Sequence, residues 1–290
     1  MGLRLKFNLV MLVVFVVGLA VTGYVSYELL HRNAREEVLR NAGVMMEAAL
    51  SMRHYTVSKV RAALPVDPDK FLPESVPAFA ATEIMAQLRT KYPDYAYKEA
   101  ALNPTNPRDR AVEWETDIVN AFRGDTARTE IFGMRDTPTG RSLYLARPFQ
   151  IKDPNCLACH TTADMAPPAM VKIYGPSNGF GWKLNEVIGA QIVSVPMDLP
   201  IRNANRAFVT FMGSLAAVFV VLFVILNVML SLLIVRPITR LSAAAERISK
   251  GKLDDVEFPA GGRDEVSQLG QAFNRMRRSL EKAISLIDKG

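Results

Sequence analysis

Residues 207–235 read AFVTFMGSLAAVFVVLFVILNVMLSLLIV, with no charged side chain between Arg206 and Arg236. A helix needs about 20 predominantly apolar residues to cross a bilayer core, and this run exceeds that. It predicts a transmembrane helix and rules out a single soluble domain. Asn227 is its one strongly polar side chain, and packing against a partner helix accounts for it better than a transport role. A second uncharged run covers 7–27, FNLVMLVVFVVGLAVTGYVSY, with Arg4 and Lys6 before it and Glu28 and His31 after. It is longer than a usual signal-peptide core and has no clean small-x-small site just before Glu28, so it reads as an uncleaved anchor.

The two spans divide the 290 residues into a short N-terminus (1–6), an outer segment (28–206), a tail (236–286) and a C-terminal end (287–290). Lys and Arg beside membrane ends favour the cytoplasmic side. Arg4 and Lys6 at one end, with Arg236 and Arg240 at the other, put both termini in the cytoplasm. The outer segment then lies in the periplasm of a bacterial inner-membrane protein. That segment is nearly neutral, with 22 basic and 21 acidic residues, and residues 236–290 carry 11 and 8. The net charge of +6 is therefore not concentrated in a nucleic-acid-binding module.

In the outer segment, residues 28–64 continue as helix from the first span until Pro65 and Pro68. Helices are predicted over 78–91 and 111–123, and an extended piece over 94–110. Short strands follow over 131–150, broken at Asp136–Gly140, and 161–185 reads as a Pro- and Gly-rich loop. Val187–Val195 gives a last strand. Helices followed by short strands indicate an α+β domain with an antiparallel sheet.

Both cysteines of the chain fall in CLACH, residues 156–160. Cys-x-x-Cys-His is the spacing of covalent haem attachment, each thiol bonding one vinyl group and the adjacent imidazole taking an axial position on iron. A thioredoxin-like redox pair, half of a zinc site shared across a dimer, and a structural disulfide are the competing readings. The immediate histidine and the exported location favour one covalent haem c per chain, with Cys156 and Cys159 as attachment points and His160 as ligand. Only three histidines are present. His54, on the helix leaving the first span, is the leading candidate for a second iron ligand. Met52, Met134, Met165, Met170 and an open position are the others, and His31 lies too near the membrane surface. Arg53, Arg147 and Lys172 are candidate partners for the haem propionates.

The tail, VRPITRLSAAAERISKGKLDDVEFPAGGRDEVSQLGQAFNRMRRSLEKAI, holds two amphipathic stretches. Ile238, Leu241, Ala245 and Ile248 recur at steps of three and four, as do Val266, Leu269, Phe273, Met276 and Leu280. With Pro237, the Gly251 connector and Asp264–Glu265, this tail resembles a HAMP signalling module. That resemblance implies a homodimer whose paired helices form a parallel four-helix bundle. The outer segment resembles the Tll0287-like haem-binding domain of sensory receptors. The stretches that carry the likeness are RNAGVMMEAALSMRHYTVSKVRAAL, YAYKEAALNPTNPRDRAVEWETDIVNAF, YLARPFQIKDPNCLACH and GFGWKLNEVIGAQIVSVP. It implies a PAS-like fold around a c-type haem held by Cys156, Cys159 and His160. A distal cysteine ligand found in that family has no counterpart here.

The combined expectation is a non-enzymatic, haem c-based transmembrane sensor of redox state or a diatomic gas. It would signal through the HAMP-like module to a cytoplasmic partner or a further output domain. The alternatives are a membrane-anchored monohaem cytochrome for electron transfer and a haemless periplasmic ligand receptor.

Overall fold

The structure, a computed structural model, describes residues 2–64, 70–138, 140–250, 257–258 and 262–287. They form two compact units, one of Tyr27–Ala207 and one of Met1–Ser26 with Phe208–Gly290.

The first of these units is built on a four-stranded antiparallel sheet. Its strands are β1 (Ala96–Ala101), β2 (Ile131–Thr137), β3 (Gly140–Gln150) and β4 (Val187–Pro196), in the order β1-β4-β3-β2. β4 is central and almost wholly buried, which accounts for its near-continuous apolar sequence VIGAQIVSV. On β3 and β4 successive residues face opposite sides. Leu143, Leu145, Val193 and Val195 point to one face, and Ala146, Ala190 and Ile192 to the other.

Both faces are covered. The long helix α1 (Leu3–Tyr55) lays Val38, Ala42, Met46 and Ala49 along the first, at the steps of three and four that make one helical stripe. Ala81 and Met85 of α3 (Pro77–Lys91) join them. The second face is covered by Ile118, Val119 and Phe122 of α4 (Glu113–Gly124). Each fully buried side chain of the size of Phe122, Met46 or Leu145 contributes roughly 1.5–3 kcal/mol. The Glu115 carboxylate fixes the start of α4, accepting from the Val112 N–H (2.9 Å) and from Lys98 Nζ of β1 (2.6 Å).

Beyond Tyr55 the chain continues as a π-helical stretch, Thr56–Val60, and a last helical turn α2 (Arg61–Ala63). Thr56 Oγ1 donates to the Met52 carbonyl (2.8 Å), a bond that accompanies local departures from α geometry. Leu64 is already extended (ψ 139°), as a residue before proline prefers. Pro65 and Pro68 lie outside the described residues.

One expectation is corrected. The stretch 161–185 is not all loop, because α6 (Pro168–Tyr174) follows the helical turn α5 (Leu157–His160) that carries the CLACH motif. Pro168 in the first turn and Gly175 (φ 81°) just past the end are the start and stop signals that make this short helix. β4 ends at Pro196. A single residue, Met197, separates it from α7 (Asp198–Met229); Met197 is buried and its N–H donates to the Arg141 carbonyl (2.8 Å).

In the other unit the Phe15 and Phe219 rings stack at 4.7 Å. Two helical stretches, Arg4–Ala63 and Asp198–Ser249, are long and apolar enough to cross a membrane. The tail forms α8 (Arg236–Ser249) and α9 (Glu265–Ile287). The Asn274 side chain bonds both the N–H (3.2 Å) and the carbonyl (3.1 Å) of Phe258, tying α9 to the segment before it. Ile238, Leu269, Met276 and Leu280 of the apolar stripes are exposed on the single chain, and the Gly251 connector lies outside the described residues.

Candidate functional site

The CLACH motif sits on a tight turn. Asp153 accepts from the Asn155 N–H (2.9 Å), and the short turn Pro154–Cys156 runs directly into α5. The segment 179–182 wraps this turn. The N–H groups of Gly181 and Trp182 donate to the carbonyls of Thr161 (2.9 Å) and His160 (3.2 Å). The Trp182 ring stacks on the His160 ring at 3.9 Å and 15°.

His160 is fixed at one nitrogen. Its Nδ1 donates to the Gly179 carbonyl (2.7 Å), and a carbonyl only accepts, so Nδ1 carries the hydrogen and Nε2 keeps its lone pair. Burial holds the His160 pKa below the ordinary histidine value against the opposing pull of that bond. A neutral imidazole with one nitrogen anchored on a carbonyl is the arrangement found in metal-ligating histidines. Gly179 is required here. Its φ is 84°, and a Cβ would lie 2.1 Å from Thr105 Oγ1. Asn103 holds it from the other side, accepting from the Gly179 N–H (3.1 Å) and donating to the Phe180 carbonyl (3.1 Å).

Cys156 and Cys159 are free, half-buried thiols. Burial pushes both thiols up; Asp153 adds to this at Cys156, while Arg61 opposes it at both and Arg53 at Cys156. They are thus neutral thiols at neutral pH, unlike the low-pKa cysteines of nucleophilic redox pairs. Cys156, Cys159 and His160 share the wall of one cavity of about 460 Å³, within the usual range for small-molecule and cofactor sites. Phe71, Phe79, Phe149, Ile151 and Ile188 supply much of its apolar wall. Two vinyl-reactive thiols, a histidine with a free ring nitrogen and an apolar cavity are a donor set that fits a covalently held tetrapyrrole with its iron.

The other sequence candidates separate cleanly. Arg53 lines the cavity, with its guanidinium 4.7 Å from the centre of the Phe149 ring. There it forms an ion pair with Glu99, whose other oxygen accepts from Tyr97 Oη (2.7 Å). Met170 lines the cavity as well and is buried. His54 does not; it is exposed and lines a separate shallow depression with Leu50, Ser51, Tyr55, Ser58 and Lys59. A step of one residue rotates a helical side chain by about 100°, so Arg53 and His54 cannot face the same way. Arg147 is outside the cavity lining, paired with Glu47 (2.6 Å) and Glu130 (3.1 Å). Lys172 is also outside that lining, Met134 and Met165 are exposed, and Met52 packs against the α1 core. His31 is buried, and its Nδ1 donates to the Tyr27 carbonyl of its own helix (2.9 Å).

Residues 31–196, more than half the chain, match the Tll0287-like family. The chain belongs to that family. Behind its Tll0287-like domain, residues 229–282 match the HAMP domain. A solved structure described as that of the cyanobacterial heme-protein Tll0287 is similar at 16% identity, covering 55% of this chain and 95% of that one, with a TM-score of 0.43. No curated protein matches the chain. Within the Tll0287-like domain, several site residues escaped the sequence reading: Asn103, Thr105, Gly179, Trp182 and the Tyr97–Glu99 pair. Their signals were the Asn-Pro-Thr-Asn-Pro turn, the Gly-Phe-Gly-Trp cluster and the i, i+2 placement of Tyr97 and Glu99 on one face of β1.

Proposed function

We propose that this protein is a membrane signal transducer whose Tll0287-like domain binds one covalent haem c and whose HAMP domain passes the signal on. The observation that carries this reading is the convergence of Cys156, Cys159 and the Gly179-anchored His160 on one largely apolar cavity. Each S–H would add across a vinyl double bond, sulfur to one carbon and hydrogen to the other, an addition that requires no oxidant. Cys156 and Cys159 would hold the group through their sulfur atoms, and His160 would offer Nε2 to its iron. When bound, haem supplies a one-electron couple and a coordination position for a small ligand. Arg53 and Met170 are the two sequence candidates that line the cavity, Arg53 with its guanidinium against the Phe149 ring and Met170 as a thioether at the wall.

The topology that goes with this function puts residues 28–206 in the periplasm and both termini in the cytoplasm, in keeping with Arg4, Lys6, Arg236 and Arg240. The exposed stripes of α8 and α9 are the surface a second copy would cover in a HAMP bundle, and a cytoplasmic partner then receives the signal. The role is one of signalling rather than catalysis. The test is expression of the full chain in a bacterium with an active haem c maturation system. Haem that stays with the polypeptide on a denaturing gel at one per chain, and is lost in the Cys156→Ser/Cys159→Ser double variant, is the expected result. Haem absent from the wild-type chain, or extractable by acid and organic solvent, refutes it.

A further inference from the structure

The Arg53–Glu99 pair has three properties that the other charged groups of the cavity wall do not combine. It is deeply buried, with side-chain exposures of 16% and 2%, whereas Arg108 at the same wall is 37% exposed and paired with Glu83. Its two members belong to different elements, Arg53 to α1 and Glu99 to β1. It is also held in place, by Tyr97 Oη on Glu99 and by the Phe149 ring against the guanidinium. Across the sheet, Gln191 of β4 stands in register with Glu99.

We infer that this pair reads the charge of the cavity and converts it into force between α1 and the sheet, so that oxidation state is the quantity sensed. The inference rests on the haem reading above. When a reduced electron-transfer protein donates one electron to the bound ferric haem, the net charge of the cavity falls by one; no bond in the pair breaks. A more negative cavity attracts the guanidinium and repels the carboxylate. Because they sit on different elements, the same change pulls one and pushes the other. Burial makes this large, since charge interactions weaken several-fold at the wetter parts of the wall. The other charged groups facing the cavity, Arg61, Lys70, Arg108, Asp109 and Asp153, are less buried or not split between α1 and the sheet in this way.

The plain alternative is an ion pair that only fastens α1 to β1. Midpoint potentials of the haem-loaded full chain in detergent separate the two. Glu99→Gln leaves Arg53 unbalanced and should raise the ferrous-to-ferric ratio at fixed potential on the order of tenfold. Arg53→Lys keeps the charge and should leave the potential at the wild-type value. Arg53→Met/Glu99→Gln removes both charges and should return it close to wild type. Hydrogen exchange over residues 45–55 should differ between ferric and ferrous wild type, and that difference should vanish in the double variant. If the double variant fails to fold, the Glu99→Gln and Arg53→Lys potentials with the wild-type exchange decide. A loaded chain whose potential ignores Glu99→Gln, or whose α1 exchange is the same in both states, overturns the inference alone. A wild-type chain without haem overturns the underlying reading as well.

Discussion

Nδ1 of His160 lies 2.7 Å from the carbonyl oxygen of Gly179, nineteen residues further along the chain. That one bond selects the tautomer and aims the ring, and it depends on a backbone conformation that only glycine adopts without cost. Gly179→Ala adds a Cβ into Thr105 at a φ of 84°. The expected loss is about 1–3 kcal/mol, together with a several-fold fall in haem retained per chain. Thermal unfolding and haem content per chain check it. Tryptophan fluorescence suits the first, because Trp114 and Trp182, the only two tryptophans, both lie between Tyr27 and Ala207.

His54 and His160 should behave oppositely. His54→Ala alters an exposed side chain away from the cavity, so ferric and ferrous spectra should match wild type. His160→Ala removes the anchored imidazole and should change the spectrum in both oxidation states. Equal disturbance by the two substitutions would contradict the placement of α1.

Asp109 lines the cavity, and burial pushes its carboxyl up to about 6, against the pull of Arg108. The folded chain therefore binds this proton more tightly than the unfolded chain. The contribution to stability is greatest below the unfolded value of 3.8 and is lost as pH rises through about 6. Asp109→Asn should remove this dependence and stabilise the protein near neutrality by about 2 kcal/mol, a figure reduced for the partial exposure of the side chain. Melting temperatures of wild type and variant at pH 3.5 and pH 7 should lie close together at the lower value and separate at the higher.

Glu115 offers a test away from the cavity. Its carboxylate is buried and neutralises Lys98 while it caps α4. Glu115→Ala leaves a partly buried ammonium and an unsatisfied N–H, and should cost about 2–4 kcal/mol without moving the haem spectrum. A spectrum that shifts with it would show that α4 reaches the site.

What the sequence disclosed follows the range of the forces involved. The grouping of Cys156, Cys159 and His160 at one cavity was legible because the three lie within five consecutive residues, and the β4 strand because a central strand buried on both faces is apolar throughout. α6 was equally local, bracketed by Pro168 and Gly175, and was obscured only by the density of turn-forming residues around it. That Arg53 lines the cavity and His54 does not was not legible. It depends on the rotational phase of α1 relative to the sheet, which the packing of Val38, Ala42 and Met46 sets from far along the helix. Asn103 and Gly179 meet across 76 positions of chain, and no local pattern states that they touch.

The single residue between β4 and α7 has a mechanical meaning. Met197 is buried and pinned to Arg141, so the junction contains no slack in which a movement of the strand can be lost. β4 is also hydrogen-bonded on both sides, to β1 and to β3. A shift of either neighbour is therefore delivered to the first turn of α7 as displacement, in the way a rod rather than a rope transmits a push.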